Sequence, residues 1–231
     1  MPFPEFDSKG MEYRFLGNSG TLVSVIAYGS WDTVGGQVKD SSIIEPCLQE
    51  AWKCGINFFD TSESYAEGQA EIEIGHALKK FGWPRKDYVL STKVFEGGHG
   101  PNDIGLHRKK IIESVNASLK RLQLDYADIV YAHRPDYLTA MLETVRAFSD
   151  LVAQGRIHYW GTSEWSAFEI GEALSVAREN HLVAPIVEQP QYSIISRQRV
   201  EGEYAPLFYK YKYGATVWYV LLSSLADRSY D

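Results

Sequence analysis

Apolar and polar positions change period repeatedly along the chain. Residues 13–16 and 21–23 alternate around the turn Gly17-Asn18-Ser19-Gly20, which predicts a two-stranded ribbon. After it come short apolar runs at residues 25–28, 56–60, 88–93, 127–133, 158–162, 186–189 and 216–221. From the second onward these runs begin roughly thirty residues apart, room for one crossover helix each. Runs such as Ile56-Asn57-Phe58-Phe59 and Asp128-Ile129-Val130-Tyr131 are nearly continuous, as strands covered on both faces require.

The intervals carry helical spacing. Ile44, Leu48, Ala51 and Trp52 share a face that Gly55 ends. Ile111, Val115, Leu119 and Leu122 repeat likewise, as do Met141, Val145, Phe148 and Val152 before Gly155. Ser166 and Glu169 form a capping-box pair ahead of Ile170, Ala173 and Ala177. Serial βα units predict an α/β fold, either a doubly wound sheet or a (β/α)8 barrel. Without a linker or low-complexity segment, residues 1–231 read as one domain.

Composition narrows the function classes. Apolar residues make up 45% of the 231, enough for a sizeable core, and the net charge of −7 speaks against a nucleic-acid binder. Neither a signal core nor a membrane-length apolar segment is present, so a cytoplasmic protein without membrane insertion is expected. Cys47 and Cys54 lie two turns apart on one predicted helix, roughly 10 Å between Cα atoms, too far for a disulfide. Buried free thiols in a reducing compartment are expected. The sequon at Asn116 lies inside a helical pattern and is discounted.

The predicted strands end in polar residues: Asp60, Lys93, His133, Ser163 with Glu164, Gln189 and Trp218. Each alone has an ordinary explanation, such as a helix cap or a solvated charge. In a barrel, however, C-terminal strand ends converge on one mouth. There, Lys93 could lower the pKa of Tyr65, Asp60 could hold Lys93, and His133 could orient a carbonyl oxygen and share its proton. That is the chemistry of acid-assisted carbonyl reduction. Two rivals fail. The loop Gly97-Gly98-His99-Gly100 has Asp103 where a dinucleotide fingerprint needs glycine, and His99, His107 and His133 lack metal-ligand spacing, so no metal is expected.

The sequence resembles the aldo-keto reductases, in the branch of fungal reductases and potassium-channel β-subunits. The motifs carrying the resemblance run from Gly55 through Asp60 and Tyr65 to Ala66, Leu90 to Lys93, Tyr131 through His133 to Asp136, and Tyr159 through Ser163 and Glu164 to Trp165. Glu188 to Tyr192 and Gly29 to Trp31 add to it. The resemblance implies a TIM-type (β/α)8 barrel with an N-terminal hairpin, NADP(H) as cofactor, and a catalytic tetrad of Asp60, Tyr65, Lys93 and His133. It also implies a small-molecule carbonyl substrate and a cofactor site of Trp31, Asp60, Ser163, Gln189, Tyr192 and Trp218, with Tyr192 stacking on the nicotinamide.

The channel β-subunits of that pattern carry Asn where this chain has His133, which favours an enzyme; the resemblance to fungal reductases implies a role in a fungal secondary-metabolite pathway. A non-catalytic subunit with a channel-type partner, or a homo-oligomer, stays open. The resemblance weakens near the seventh strand, where Tyr219, Val220 and Ser224 replace the usual Ser, Pro and Gly, and Arg228-Ser229-Tyr230 replaces Gly-Lys-Tyr. Only seven strands can be counted, so the barrel is expected to lack its eighth βα unit, which in the family holds the NADP 2′-phosphate. Open sheet edges would then make the protein marginally stable or aggregation-prone unless a partner covers them.

Overall fold

A computed structural model describes residues 8–220. The chain opens on an antiparallel hairpin of β1 (Tyr13–Phe15) and β2 (Leu22–Ser24). Its turn depends on Gly17, whose φ is +58° and whose missing Cβ would stand 2.4 Å from the Ile186 carbonyl oxygen. No side chain fits there, and the left-handed conformation itself favours glycine. The hairpin is thereby held against the strand ends, where Leu16 and Val23 pack with Phe58, Val89, Ile129 and Ile186 in one buried cluster. Asn57 fastens it, accepting from the Ser24 amide at 2.8 Å.

The remaining strands form one parallel sheet in chain order: β3 (Tyr28–Gly29), β4 (Phe58–Asp60), β5 (Val89–Val94), β6 (Ala127–Ala132), β7 (Ile157–Ser163), β8 (Val187–Gln189) and β9 (Gly214–Ala215). Each pairs with its predecessor, as in a barrel built by successive crossovers. Among the described residues β3 and β9 have no outer neighbour. The seven-stranded curl is thus an incomplete barrel of the TIM type, as expected. Its two edge strands are two residues long each, which keeps the unpaired backbone short.

The helices are α1 (Ser41–Lys53), α2 (Gln69–Phe81), α3 (Arg108–Leu122), α4 (Met141–Ala153), α5 (Ala167–Glu179) and α6 (Ala205–Tyr211). The predicted faces are those buried: Ile111, Val115, Leu119 and Leu122 on α3, Val145 and Phe148 on α4. Phe148 stacks on Trp160 of β7 with ring centres 4.7 Å apart, joining helix layer to sheet. The capping box of Ser166 and Glu169 starts α5 with both reciprocal bonds made.

Three expectations are corrected. The strand expected at residues 25–28 is β3, further along, because Val25 extends the hairpin by donating to the Glu12 carbonyl. The strand expected at 216–221 is β9, earlier and shorter; residue 221 lies outside the described residues. Pro190 has no N–H to continue the ladder beyond β8, and the segment after β9 meets the chain again only in an isolated bridge between Gln191 and Trp218. Finally, Cys47 and Cys54 are free but exposed, because α1 turns Ile44 and Leu48 inward and leaves the thiols on its outer side.

Candidate active site

At the C-terminal end of the sheet lies a cavity of about 610 Å³. Asp60, Tyr65, His133, Ser163 and Gln189 line one part of it, and Trp31, Trp218 and Tyr219 another. Asp60 is the last residue of β4, and register places it beside Ser91 of β5. Its Oδ2 accepts from Lys93 Nζ at 2.5 Å, while Oδ1 accepts from Ser91 at 2.5 Å and from the Gln189 amide at 3.2 Å. Lys93 is 0% exposed and also donates to the Thr61 carbonyl at 2.8 Å. A buried ammonium needs this pairing, because burial alone disfavours its charge.

Tyr65 sits on a short 3-10 turn between β4 and α2. The next residues, Ala66 at φ 48° and Glu67 at φ 55°, are left-handed, and Gly68 follows at φ 88°. This run bends the chain back so that the phenol faces the cavity while α2 starts outside it. Two buried ion pairs brace the segment. Glu63 accepts from Lys110 Nζ and from the Phe95 amide, both at 2.8 Å; Glu71 accepts from Arg121 at 2.6 Å and from Thr92 at 2.5 Å.

These supports bring three side chains together. Lys93 Nζ lies 4.7 Å from the centre of the Tyr65 ring. The His133 ring stands edge-on to that of Tyr65, with centres 5.9 Å apart. Ser62 Oγ lies 3.3 Å from His133 Nδ1 and within reach of Ser64. Glu164, at the end of β7, holds the far wall: it accepts from Trp218 Nε1 at 3.0 Å, the Gln191 amide at 2.6 Å and Arg199 at 2.8 Å. Trp218 in turn meets Trp31 edge-on at 5.5 Å, and Tyr219 meets Trp31 at 6.2 Å.

Electrostatics revise the proton logic. Burial raises the Tyr65 pKa, Lys93 pulls it down and Asp60 pushes it up, and the net shift is upward. The expected acidification of the phenol by Lys93 is therefore outweighed in this state, and Tyr65 holds its proton at neutral pH. For Lys93, burial acts downward, but Asp60 and Tyr65 outweigh it and the ammonium is kept. His133 falls to about 2, through burial first and then the charges of Lys93 and Arg134. It is therefore a neutral imidazole at neutral pH.

Of the residues singled out in the sequence, Lys93, buried behind Asp60, and Glu164 do not line the cavity, and neither does Tyr192. Its hydroxyl donates to Glu201 at 2.6 Å, because the segment after Pro190 is drawn toward Arg197 and Glu201. Tyr219, which stands where the resemblance expects Ser, lines the cavity beside Trp31. Ser224 and residues 228–230 lie outside the described residues. Ser62 and Arg134 were missed as contributors. Both flank residues already chosen, and adjacency to Asp60 and His133 was the available signal. Among the described residues no group of three or more His, Cys, Asp or Glu could hold a metal, and no helix is long and apolar enough to cross a membrane.

Comparison with known proteins agrees with this geometry. The family model described as "Aldo/keto reductase family" matches residues 25–231. The chain belongs to the aldo/keto reductase family. It is 50% identical over 220 residues to a "Probable voltage-gated potassium channel subunit beta" of Oryza sativa subsp. japonica, covering 95% of this chain and 67% of that protein. A "Putative voltage-gated potassium channel subunit beta" of Schizosaccharomyces pombe is 48% identical over 228 residues, covering 98% and 66%. One from Arabidopsis thaliana, named as probable, is 48% identical over 223 residues, covering 96% and 67%. The chain thus spans about two thirds of the length of these curated relatives. As an aldo/keto reductase family member it places its polar strand ends at the mouth where barrels carry their chemistry.

Proposed function

We propose that this chain is built to reduce an aldehyde or ketone to an alcohol with NADPH, Tyr65 being the general acid. The observation that carries the reading is the buried Lys93–Asp60 pair beneath a protonated Tyr65, with neutral His133 on the phenol's other side. Membership of a family named for aldehydes and ketones supports the reaction class.

NADPH, when bound, supplies a hydride to the carbonyl carbon. Tyr65 gives its proton to the carbonyl oxygen, which becomes the alcohol hydroxyl. The phenolate left behind is stabilised by the adjacent ammonium of Lys93 and regains a proton from water. His133 donates a hydrogen bond to the same oxygen and fixes its position. The described residues fit the nicotinamide end of the cofactor: Ser163 and Gln189 offer polar groups under an aromatic wall of Trp31 and Trp218. Residues 221–231, which follow Tyr219 and Val220, lie outside the described residues.

A second reading rests on the relatives' names: a non-catalytic subunit that associates with a potassium channel. We place the protein in a reducing compartment such as the cytoplasm, supported by two exposed, unpaired cysteines.

The test is NADPH oxidation at saturating benzaldehyde, with NADPH binding followed by tryptophan fluorescence. Turnover that disappears in Tyr65→Phe, with fluorescence quenching kept, supports the reductase. Quenching without turnover supports the non-catalytic reading. Absence of both at millimolar NADPH overturns the cofactor site.

A further inference from the structure

Arg134 follows His133 directly at the end of β6, is exposed, and lines the same cavity. Its Nη1 donates to the His133 carbonyl at 2.6 Å, which holds the guanidinium against the strand end. Among the described residues it makes no ion pair, as Arg146, Arg156 and Arg178 make none, but of these four only Arg134 lines the cavity; Arg14, Arg85, Arg108, Arg121, Arg197 and Arg199 each meet a carboxylate. Its Nε and Nη2 remain. Together they form the edge of the guanidinium that matches a carboxylate with two parallel hydrogen bonds. Its charge reaches both reacting groups, acting downward on the pKa of Tyr65 and of His133.

The other charges facing the cavity sharpen the assignment. Asp60 is neutralised by Lys93, and Asp32 accepts from Gln37 at 2.7 Å. Glu96 and Asp32 are the carboxylates on the lining that are exposed and without an ion pair among the described residues, and of the two Glu96 has no hydrogen bond from a side chain there. It repels an anion on its own side, so an anionic group is favoured beside His133 and disfavoured near Glu96. Across the opening, Trp31 and Trp218 supply flat apolar surface for a ring or chain.

We propose that the substrate is a carbonyl compound bearing a carboxylate, an oxo acid, whose acid group is held by Arg134 while its carbonyl lies between Tyr65 and His133. This rests on the reductase reading above and adds the substrate class to it. The cofactor's phosphates share the same oxyanion chemistry. They are the less suitable occupant, since Arg134 adjoins the residue that would hold the carbonyl oxygen.

The experiment compares 4-carboxybenzaldehyde with benzaldehyde in the full chain, in Arg134→Met and in Glu96→Gln. The readout is the ratio of their kcat/KM values, so that any general effect of Arg134 on Tyr65 cancels. In the unaltered chain the carboxylated aldehyde is preferred. Arg134→Met lowers the ratio about tenfold or more, the scale of a lost charge-assisted pair; Arg134→Lys restores part of it, and Glu96→Gln raises it. A ratio that Arg134→Met leaves unmoved overturns the proposal, including the case in which NADPH affinity falls instead. If neither aldehyde turns over, the reductase reading has failed, and the same comparison is made on dissociation constants from tryptophan quenching. Equal affinities there overturn the anion site; tighter binding of the carboxylated aldehyde, lost in Arg134→Met, keeps it.

Discussion

The ammonium of Lys93 stands 4.7 Å from the centre of the Tyr65 ring, inside a protein interior that leaves the lysine 0% exposed. The distance alone does not acidify the phenol, because burial outweighs the cation. In the proposed reduction its value comes at the moment a phenolate forms, when a charge is already waiting beside it.

The pair of Lys93 and Asp60 should be asymmetric to mutation. Asp60→Asn strands a fully buried ammonium, while Lys93→Met strands a carboxylate that is 15% exposed. Breaking a buried pair typically costs about 3–5 kcal/mol, most where the orphan is deepest. Asp60→Asn is expected to lower the urea midpoint more than Lys93→Met. Equal midpoints would show that Lys93 sheds its proton when unpaired.

Acid should weaken the fold through His133. Its folded pKa, about 2, lies below the ordinary 6.5, so below pH 6.5 the unfolded chain takes a proton that the folded chain refuses. Stability from this group is complete above about pH 6.5 and falls as pH drops toward 2. His133→Gln should flatten that acid limb in denaturant titrations taken at several pH values.

Glu188 predicts the opposite limb. Buried on β8 with Oε1 unpartnered, it is pushed up to about 8 from 4.5, by burial first. Its folded pKa exceeds its unfolded one, so the neutral acid is favoured below 4.5 and stability is lost as pH rises toward 8. Glu188→Gln keeps an acceptor for Thr162, which donates at 2.5 Å. It should be more stable than the parent at pH 9, by an amount that shrinks toward pH 5. A constant difference across that range would refute the titration.

Ser62 is the neighbour of His133 Nδ1 at 3.3 Å. If its hydroxyl fixes the tautomer that presents Nε2–H to the substrate, Ser62→Ala should cut kcat about tenfold, the scale of one neutral hydrogen bond, with little change in KM. A loss confined to KM would assign Ser62 to substrate contact instead.

Gly17→Ala places a methyl 2.4 Å from the Ile186 oxygen at a φ of +58°. A cost of roughly 1–3 kcal/mol is expected from overpacking and backbone strain together. Thermal melts of the variant against the parent measure it.

The order of β and α segments was legible in the sequence because buried parallel strands and amphipathic helices leave separate periods in it. So were the motifs that place Asp60, Lys93, His133, Ser163 and Gln189 at strand ends. Family resemblance added Trp31 as a cavity residue. What periodicity could not give is anything set by contacts between distant segments. The exposure of Cys47 and Cys54, the displacement of Tyr192, the isolated bridge at Gln191 and the upward shift of Tyr65 all depend on packing between elements far apart in sequence. Pattern along the chain fixes which residues face inward, since it reports the solvent preference of each position. Pairing and charge at the site are decided only in three dimensions, because desolvation and Coulomb interaction depend on distance and burial that a linear order does not contain.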